Sequence, residues 1–380
     1  MKRVFFFLTA GVFASFAQAV VPTEAVTAVR TKAESATAIS EQDKAEIDKF
    51  ILATLNGIFL AEQSEEMAKT RRQIVEQKGT KDLSLYATAY VTILRDRLRS
   101  LAQTSLERID DPARRRLVRL NLAILIAELR SLLLTEFGVL WSQDEDAVVR
   151  YWAVKSLTDP EIAKQLNSET TADPEATQKI FETLRSLIQK EPLPEILALT
   201  AGFAAAWQDA RSGELLEQLT ARRLNDYTKC QEKSAWVDGR ILTALTEKYV
   251  SAKVPEEKTA AGRRFVLLLS AVMQRWLQNE AAGGKNLSEE ARTQLITVLA
   301  ETEDRLLPKL EISAAGIRRA FERSGGLQPV YEELMGTVSR RGTLPARLGV
   351  DFGRDADGRP LTVPPTLPNC FAAPAAPAAG

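Results

Sequence analysis

From about Ser40 to Arg340 apolar residues recur at intervals of three and four, the period of a helical face. Ile47, Phe50, Ile51, Leu55, Ile58 and Phe59 form the first such stripe, behind Ser40 as N-cap and the acids Glu41, Asp43 and Glu46. Asn56-Gly57 is a point where this segment can bend, and Lys78-Gly79 ends it. A second helix is expected from about Asp82, with Tyr86, Tyr90, Ile93, Leu94 and Leu101 on one side. Asp111-Pro112, Asp159-Pro160 and Asp173-Pro174 each place a capping carboxylate before a proline at the first helical position. Further starts are expected near Pro194, Gly213, Ser234, Pro255, Ser288 and Ser313. Asn279 to Lys285, with Gly283-Gly284, reads as a loop, and no alternating run predicts a sheet in this body. The fold class is therefore all-α: an irregular α–α superhelix, or a helical bundle, over 40–340.

The ends differ. Residues 20–39 are rich in Ala, Thr, Val and Ser with weak periodicity, which predicts a flexible lead-in. Residues 341–380 hold seven of the sixteen prolines and finish in an Ala-Pro tract, which predicts a disordered tail. Asp357-Gly358 would allow a small hairpin at 350–363. At the start, Lys2 and Arg3 precede the apolar run Val4 to Phe16 and then Ala17-Gln18-Ala19, the pattern of a cleaved signal peptide over 1–19. The protein is thus expected to be exported, to a periplasm or the exterior. The next most apolar stretch, Leu120 to Leu134, carries Glu128 and Arg130, so no transmembrane segment is expected in the mature chain. Cys230 and Cys370 could pair in an oxidising compartment. A tail without fixed structure and a very long closed loop argue for no structural disulfide.

One segment carries a resemblance. Asp144-Glu145-Asp146-Ala147-Val148-Val149-Arg150-Tyr151-Trp152-Ala153-Val154-Lys155-Ser156-Leu157 resembles the second helix of a HEAT repeat, with Val118-Arg119 and Ala123 a weaker echo. The resemblance implies stacked helix pairs and an extended protein-binding surface. On that reading Trp152 packs in the core with Val149 and Leu157, and Arg150 pairs with Asp146 one turn away. Candidate first helices near 112, 174, 213, 257 and 313 step irregularly around the 40–47 residues of such units.

Composition removes more functions than it suggests. The chain has no histidine, which excludes Ser-His-Asp triads, Cys-His pairs and His-bearing zinc sites. There are 50 basic and 50 acidic residues; loss of Lys2 and Arg3 leaves a slight negative excess, so no nucleic-acid partner is expected. Asp351-Phe352-Gly353 lacks any other kinase feature, and Asp355 to Gly358 lacks the terminal ligands of a calcium loop. Asp144, Glu145 and Asp146 could act as paired carboxylates in a glycan hydrolase, but a helix start accounts for them. Arg71-Arg72, Arg114 to Arg116, Arg222-Arg223, Arg263-Arg264, Arg318-Arg319 and Arg340-Arg341 read as salt-bridged helix faces. Of five tryptophans, Trp152, Trp207, Trp236 and Trp276 sit in apolar stripes and Trp141 does not. No catalytic, cofactor-binding or metal-ligating residue is assigned. The expected function is an exported, non-enzymatic scaffold for another protein or envelope component; a carboxylate-dependent glycan hydrolase and a purely structural envelope protein are the alternatives.

Overall fold

The computed structural model describes residues 23–371, apart from 81–83, 314–315, 323–325 and 355–356. The expected signal peptide, the helix start at Asp82, Asp355 and the Ala-Pro tract of 372–380 lie outside the described residues. The protein is all-α, with seventeen α-helices and one two-residue β-ribbon among the described residues. No helix among them is long and apolar enough to cross a membrane. The chain forms two compact units, up to Asn121 and from Leu122.

The first unit holds α1 (Glu24–Ala33), α2 (Glu41–Leu60), α3 (Ser64–Lys78), α4 (Leu85–Thr104) and the start of α5 (Pro112–Leu129). Ser40 caps α2 by accepting from the Asp43 amide, and Ile47, Phe50, Ile51, Leu55 and Ile58 bury the expected stripe. Gly57 does not break the helix. A Cβ there would lie 3.2 Å from Thr70 Cγ2, so the glycine lets α3 approach, and the chain turns later, at Ala61–Gln63. Within the lead-in lies a packed helix: α1 buries Val26 and Val29, three residues apart, and Thr27 donates to Gln77. Its weak apolar signal was enough because α2 and α4 both cover it.

In the second unit a 3₁₀ turn leads into α6 (Thr135–Trp141) and α7 (Ala147–Thr158). There follow α8 (Pro160–Leu166), α9 (Pro174–Lys190), α10 (Pro194–Ala206), α11 (Arg211–Thr228), α12 (Trp236–Ser251), α13 (Pro255–Ala281) and α14 (Glu289–Glu301). Asp159 and Asp173 cap α8 and α9 as the sequence predicts. Helices α6, α9, α11 and α13 pack in succession as one layer, and α7, α10, α12 and α14 as the other. Their inward faces merge into one core.

Beyond α14 the chain is irregular: a π-helical turn at Thr302–Leu306, a 3₁₀ turn, α15 (Ile317–Glu322) and α16 (Gln328–Met335). Then come β1 (Gly336–Thr337), β2 (Arg340–Arg341) and α17 (Thr343–Arg347). Glu303, nearly buried, reaches across to the start of α15, where its carboxylate accepts from the amides of Gly316, Ile317 and Arg318. That satisfies donors which a helix leaves open at its N-terminus.

The start expected for the C-terminal tail, at 341, and the expected lack of a disulfide are corrected. Leu344, Leu348, Val350 and Phe352 belong to the core, so the packed body continues past 341. Average composition hid four well-placed apolar side chains. Further on, an isolated bridge joins Arg354 to Pro360, in the stretch expected to permit a hairpin. Residues 362–371 then lie against α13, and Cys370 forms a disulfide with Cys230, their Cα atoms 5.6 Å apart. The long loop is no obstacle, because the fold itself brings the two cysteines together.

A recurrent device holds helix ends. Basic side chains from neighbouring elements donate to the open C-terminal carbonyls of another helix. Arg30 serves α3 at Glu76, and Arg114 serves α2 at Phe59 and Leu60. Arg222 serves α9 at Ile188 and Glu191, Lys248 serves α10 at Trp207, and Arg275 serves α11 at Tyr227.

Candidate functional site

The residues singled out by sequence are mostly structural. Asp146 caps α7 by accepting from the Val148 amide, and Asp144 accepts from the Asp146 amide. Arg150 meets Glu191 in a two-point pair at 2.9 and 3.0 Å and also donates to the carbonyls of Asp144 and Glu145, with the Asp144 and Asp146 charges acting on it as well. The Glu191 hydrogen bonds hold the Arg150 guanidinium above its usual value. Trp152 is half-buried, edge-on to Tyr151 and under the Lys155 ammonium at 4.4 Å. Trp141, outside the expected stripes, is the buried one of this pair of helices. The inward face of α7 is thus offset by one step from the expected one: Val149, Ala153, Val154 and Leu157 point inward.

Two polar groupings went unseen in the sequence. Lys248 donates to Ser212 Oγ at 2.6 Å, a serine–lysine pair of the kind that can activate a hydroxyl, and burial pushes the ammonium below the usual lysine value. Ser212 is fully buried, however, and its hydroxyl donates to the Asp209 carbonyl. The pair closes the end of α10 and offers no substrate access. Near the other end of α11, Arg223 binds Asp238 at 2.6 and 3.0 Å, and the Tyr227 hydroxyl donates to the same carboxylate at 2.8 Å. Burial opposes the Arg223 charge, but Asp238 outweighs it and leaves the guanidinium above its usual value. Burial and Asp238 together push Tyr227 well up. With Asp238 completely enclosed, this network is a support for the α11–α12 turn. Only the arginine doublets hinted at it.

What remains open is a trough between α11 and α13, a cavity of about 690 Å³. From α11 it receives Glu217, Thr220, Ala221 and Leu224, spaced as one helical face. From α13 it receives Glu256, Thr259, Ala260, Arg263 and Leu267, again one face, with Pro255 and Arg264 beside them. Small side chains occupy the middle of both rows, which is why the two helices leave a hollow between them. Glu217 is neutralised across it by Arg264 at 2.6 Å. Thr220 Oγ1 is committed to the Leu216 carbonyl. The lining contains no aromatic ring, and none of Asp144, Glu145 and Asp146 reaches it. Its chemistry is contact with apolar surface under a charged rim, the requirement for seating an amphipathic segment. A second hollow, of about 520 Å³, lies in the first unit beside Phe59, Leu60, Arg108 and Asp111 and is more polar. Comparison of the chain with protein families, with curated proteins and with solved structures gives no match.

Proposed function

We propose that the protein is an exported, non-enzymatic helical scaffold that seats a segment of another protein or envelope component in the α11–α13 trough. The observation that carries this reading is the trough itself: two helix faces with small central residues, an apolar floor and charges at the edge. Stacked helix pairs suit such a role, because neighbouring pairs present a long surface. The likeness of 144–157 to a HEAT repeat supports it further. That stretch supplies α7, the second helix of the α6–α7 pair. The first-layer helices begin at 135, 174, 211 and 255, steps of 39, 37 and 44 residues, closer to such units than the spacing read from sequence. Export rests on the leader pattern of residues 1–19.

The test is crosslinking and co-purification of the native exported protein with two variants. Ala221→Trp fills the trough, and Thr297→Trp, on the exposed side of α14, is the control. The reading expects one discrete adduct that survives in the control and disappears in Ala221→Trp, with melting unchanged in both. An adduct indifferent to Ala221→Trp places binding elsewhere; no adduct at all favours a purely structural component. N-terminal sequencing of the same material should begin at Val20, and retention of Phe5 would rule out the cleaved leader.

A further inference from the structure

Residues 362–371 are seated on α13 in a manner unlike the rest of the chain. The Gln274 side chain, nearly buried, donates to the Pro365 carbonyl at 3.0 Å and accepts from the Leu367 amide at 2.8 Å. It thus pairs with the extended backbone as a neighbouring strand would. Gln278, one turn on, donates to the carbonyls of Leu367 and Pro368 at 3.3 and 3.0 Å. Ser270 fixes the Gln274 amide, and Arg275 fixes Gln278. Both readers are therefore held in place by side chains outside the segment. Every one of these contacts is to main chain. Of the side chains Pro364 is buried, and Thr362, Val363, Leu367, Cys370 and Phe371 are half-buried, Leu367 against the core and Phe371 with the Arg275 guanidinium 5.6 Å from its ring. Any extended stretch with a carbonyl, one apolar residue and prolines at these places would satisfy Gln274 and Gln278, and an aromatic residue at its end would meet the Arg275 guanidinium as Phe371 does. Prolines suit the site because it asks for a single amide donor, at Leu367.

The hold is also unusual. Upstream, Leu344, Leu348 and Val350 are enclosed, but 362–371 has little buried side chain to keep it down. Its far end is instead fixed by the Cys230–Cys370 disulfide. Gly353, at φ +90°, separates the two regimes.

We propose that this face of α13 is a docking site for an extended, proline-containing segment of a partner protein, occupied in the oxidised chain by 362–371 as a tethered ligand and opened by reduction of Cys230–Cys370. A dithiol reductant supplies the step: the Sγ–Sγ bond breaks, two electrons and two protons leave both cysteines as thiols, and the reductant closes its own disulfide. The released segment remains attached, so a partner competes with an effective concentration in the millimolar range.

Hydrogen exchange of the full chain, with and without dithiothreitol, tests the lock. The Leu367 amide should exchange at least tenfold faster after reduction, while amides of α10 and α12 stay protected over the same labelling period. Unchanged protection at Leu367, or loss of protection everywhere together, overturns the lock. The docking half is tested with a labelled peptide of residues 359–371 carrying Cys370→Ser, at about 1 mM to match the tether. It should bind the reduced chain and not the oxidised one, and Gln274→Ala should weaken it about tenfold without altering binding-independent melting. No binding to the reduced chain, or equal binding to both forms, overturns the site. Neither result bears on the α11–α13 trough, which lies on different residues.

Discussion

The stacked pairs from α6 to α14 and the segment after Leu310 both place side chains in the one core, by different means. In the stack, each helix carries its own apolar stripe and most of its own hydrogen bonds, and Asp or Ser caps the starts of α7, α8, α9 and α14. In the C-terminal segment the elements are a few residues long and draw on distant side chains. Glu303 opens α15, Gln274 receives Leu367, and Arg341 donates to the carbonyls of Pro345 and Val350. Local periodicity announces the first kind of structure. The second kind has no period, so its composition resembles that of an unfolded chain. A proline-rich stretch is disordered only if nothing else supplies its partners.

Removing that segment should have the largest effect. Ending the chain after Arg341 takes away Leu344, Leu348, Val350 and Phe352, at about 1.5–3 kcal/mol each when fully buried. A loss on that scale is comparable with the whole stability of an ordinary domain. The shortened chain should show no cooperative unfolding of the second unit; a melting curve like that of the full chain would dissolve the distinction drawn above.

Next in size is Arg223→Ala, which leaves Asp238 enclosed with only the Tyr227 hydroxyl and no cation in the two-point position. A cost of about 3–5 kcal/mol in urea melts is expected for an uncompensated buried charge.

A sharper comparison lies within α7. Arg150→Ala strands the Glu191 carboxylate, whose side chain is 3% exposed, and should cost about 3 kcal/mol. Trp152→Ala removes a ring that is half in solvent and should cost about 1–2 kcal/mol, well short of a core aromatic. The reverse order would restore the expectation drawn from the repeat pattern.

The smallest effect expected is at Asp209, whose carboxyl is held below its ordinary value by the Arg211 guanidinium. A lowered folded value means that its stabilisation is present above the unfolded value, near pH 4, and is lost as pH falls through the lower one. Asp209→Asn should therefore lower stability at pH 7 by about 0.5–1 kcal/mol, both side chains being about a third exposed, and should make no difference near pH 2. A deficit that persists in acid would assign the loss to the turn and not to the charge.

Much of the fold was legible. The three Asp-Pro starts, Ser40, Ser288, Pro194 and Pro255 all mark real helix beginnings, because capping is a local transaction between neighbours in sequence. Gly57 was misread because a glycine that admits a neighbouring helix looks the same as one that ends its own. Trp152 was misread because a helical stripe is wide enough to place a residue at its edge, and only the neighbours decide. The arginine runs suggest salt-bridged helix faces, whereas Arg114, Arg222 and Arg223 hold carbonyls and a carboxylate in other elements; such contacts depend on tertiary geometry. The trough could not be foreseen, since Ala221 and Ala260 fall on facing helices only after α11 and α13 have packed. The disulfide follows the same rule, with two cysteines 140 positions apart.

The claim that most needs testing is that residues 343–352 are part of the cooperative core of the second unit. Native-state hydrogen exchange addresses it directly through the amides of Leu348 and Val350, which donate to Leu344 and Pro345, compared with amides in the middle of α12. The two sets should merge as denaturant is raised, exchanging through one common opening. Exchange of Leu348 and Val350 at the rate of an unstructured peptide, with α12 still protected, would contradict it.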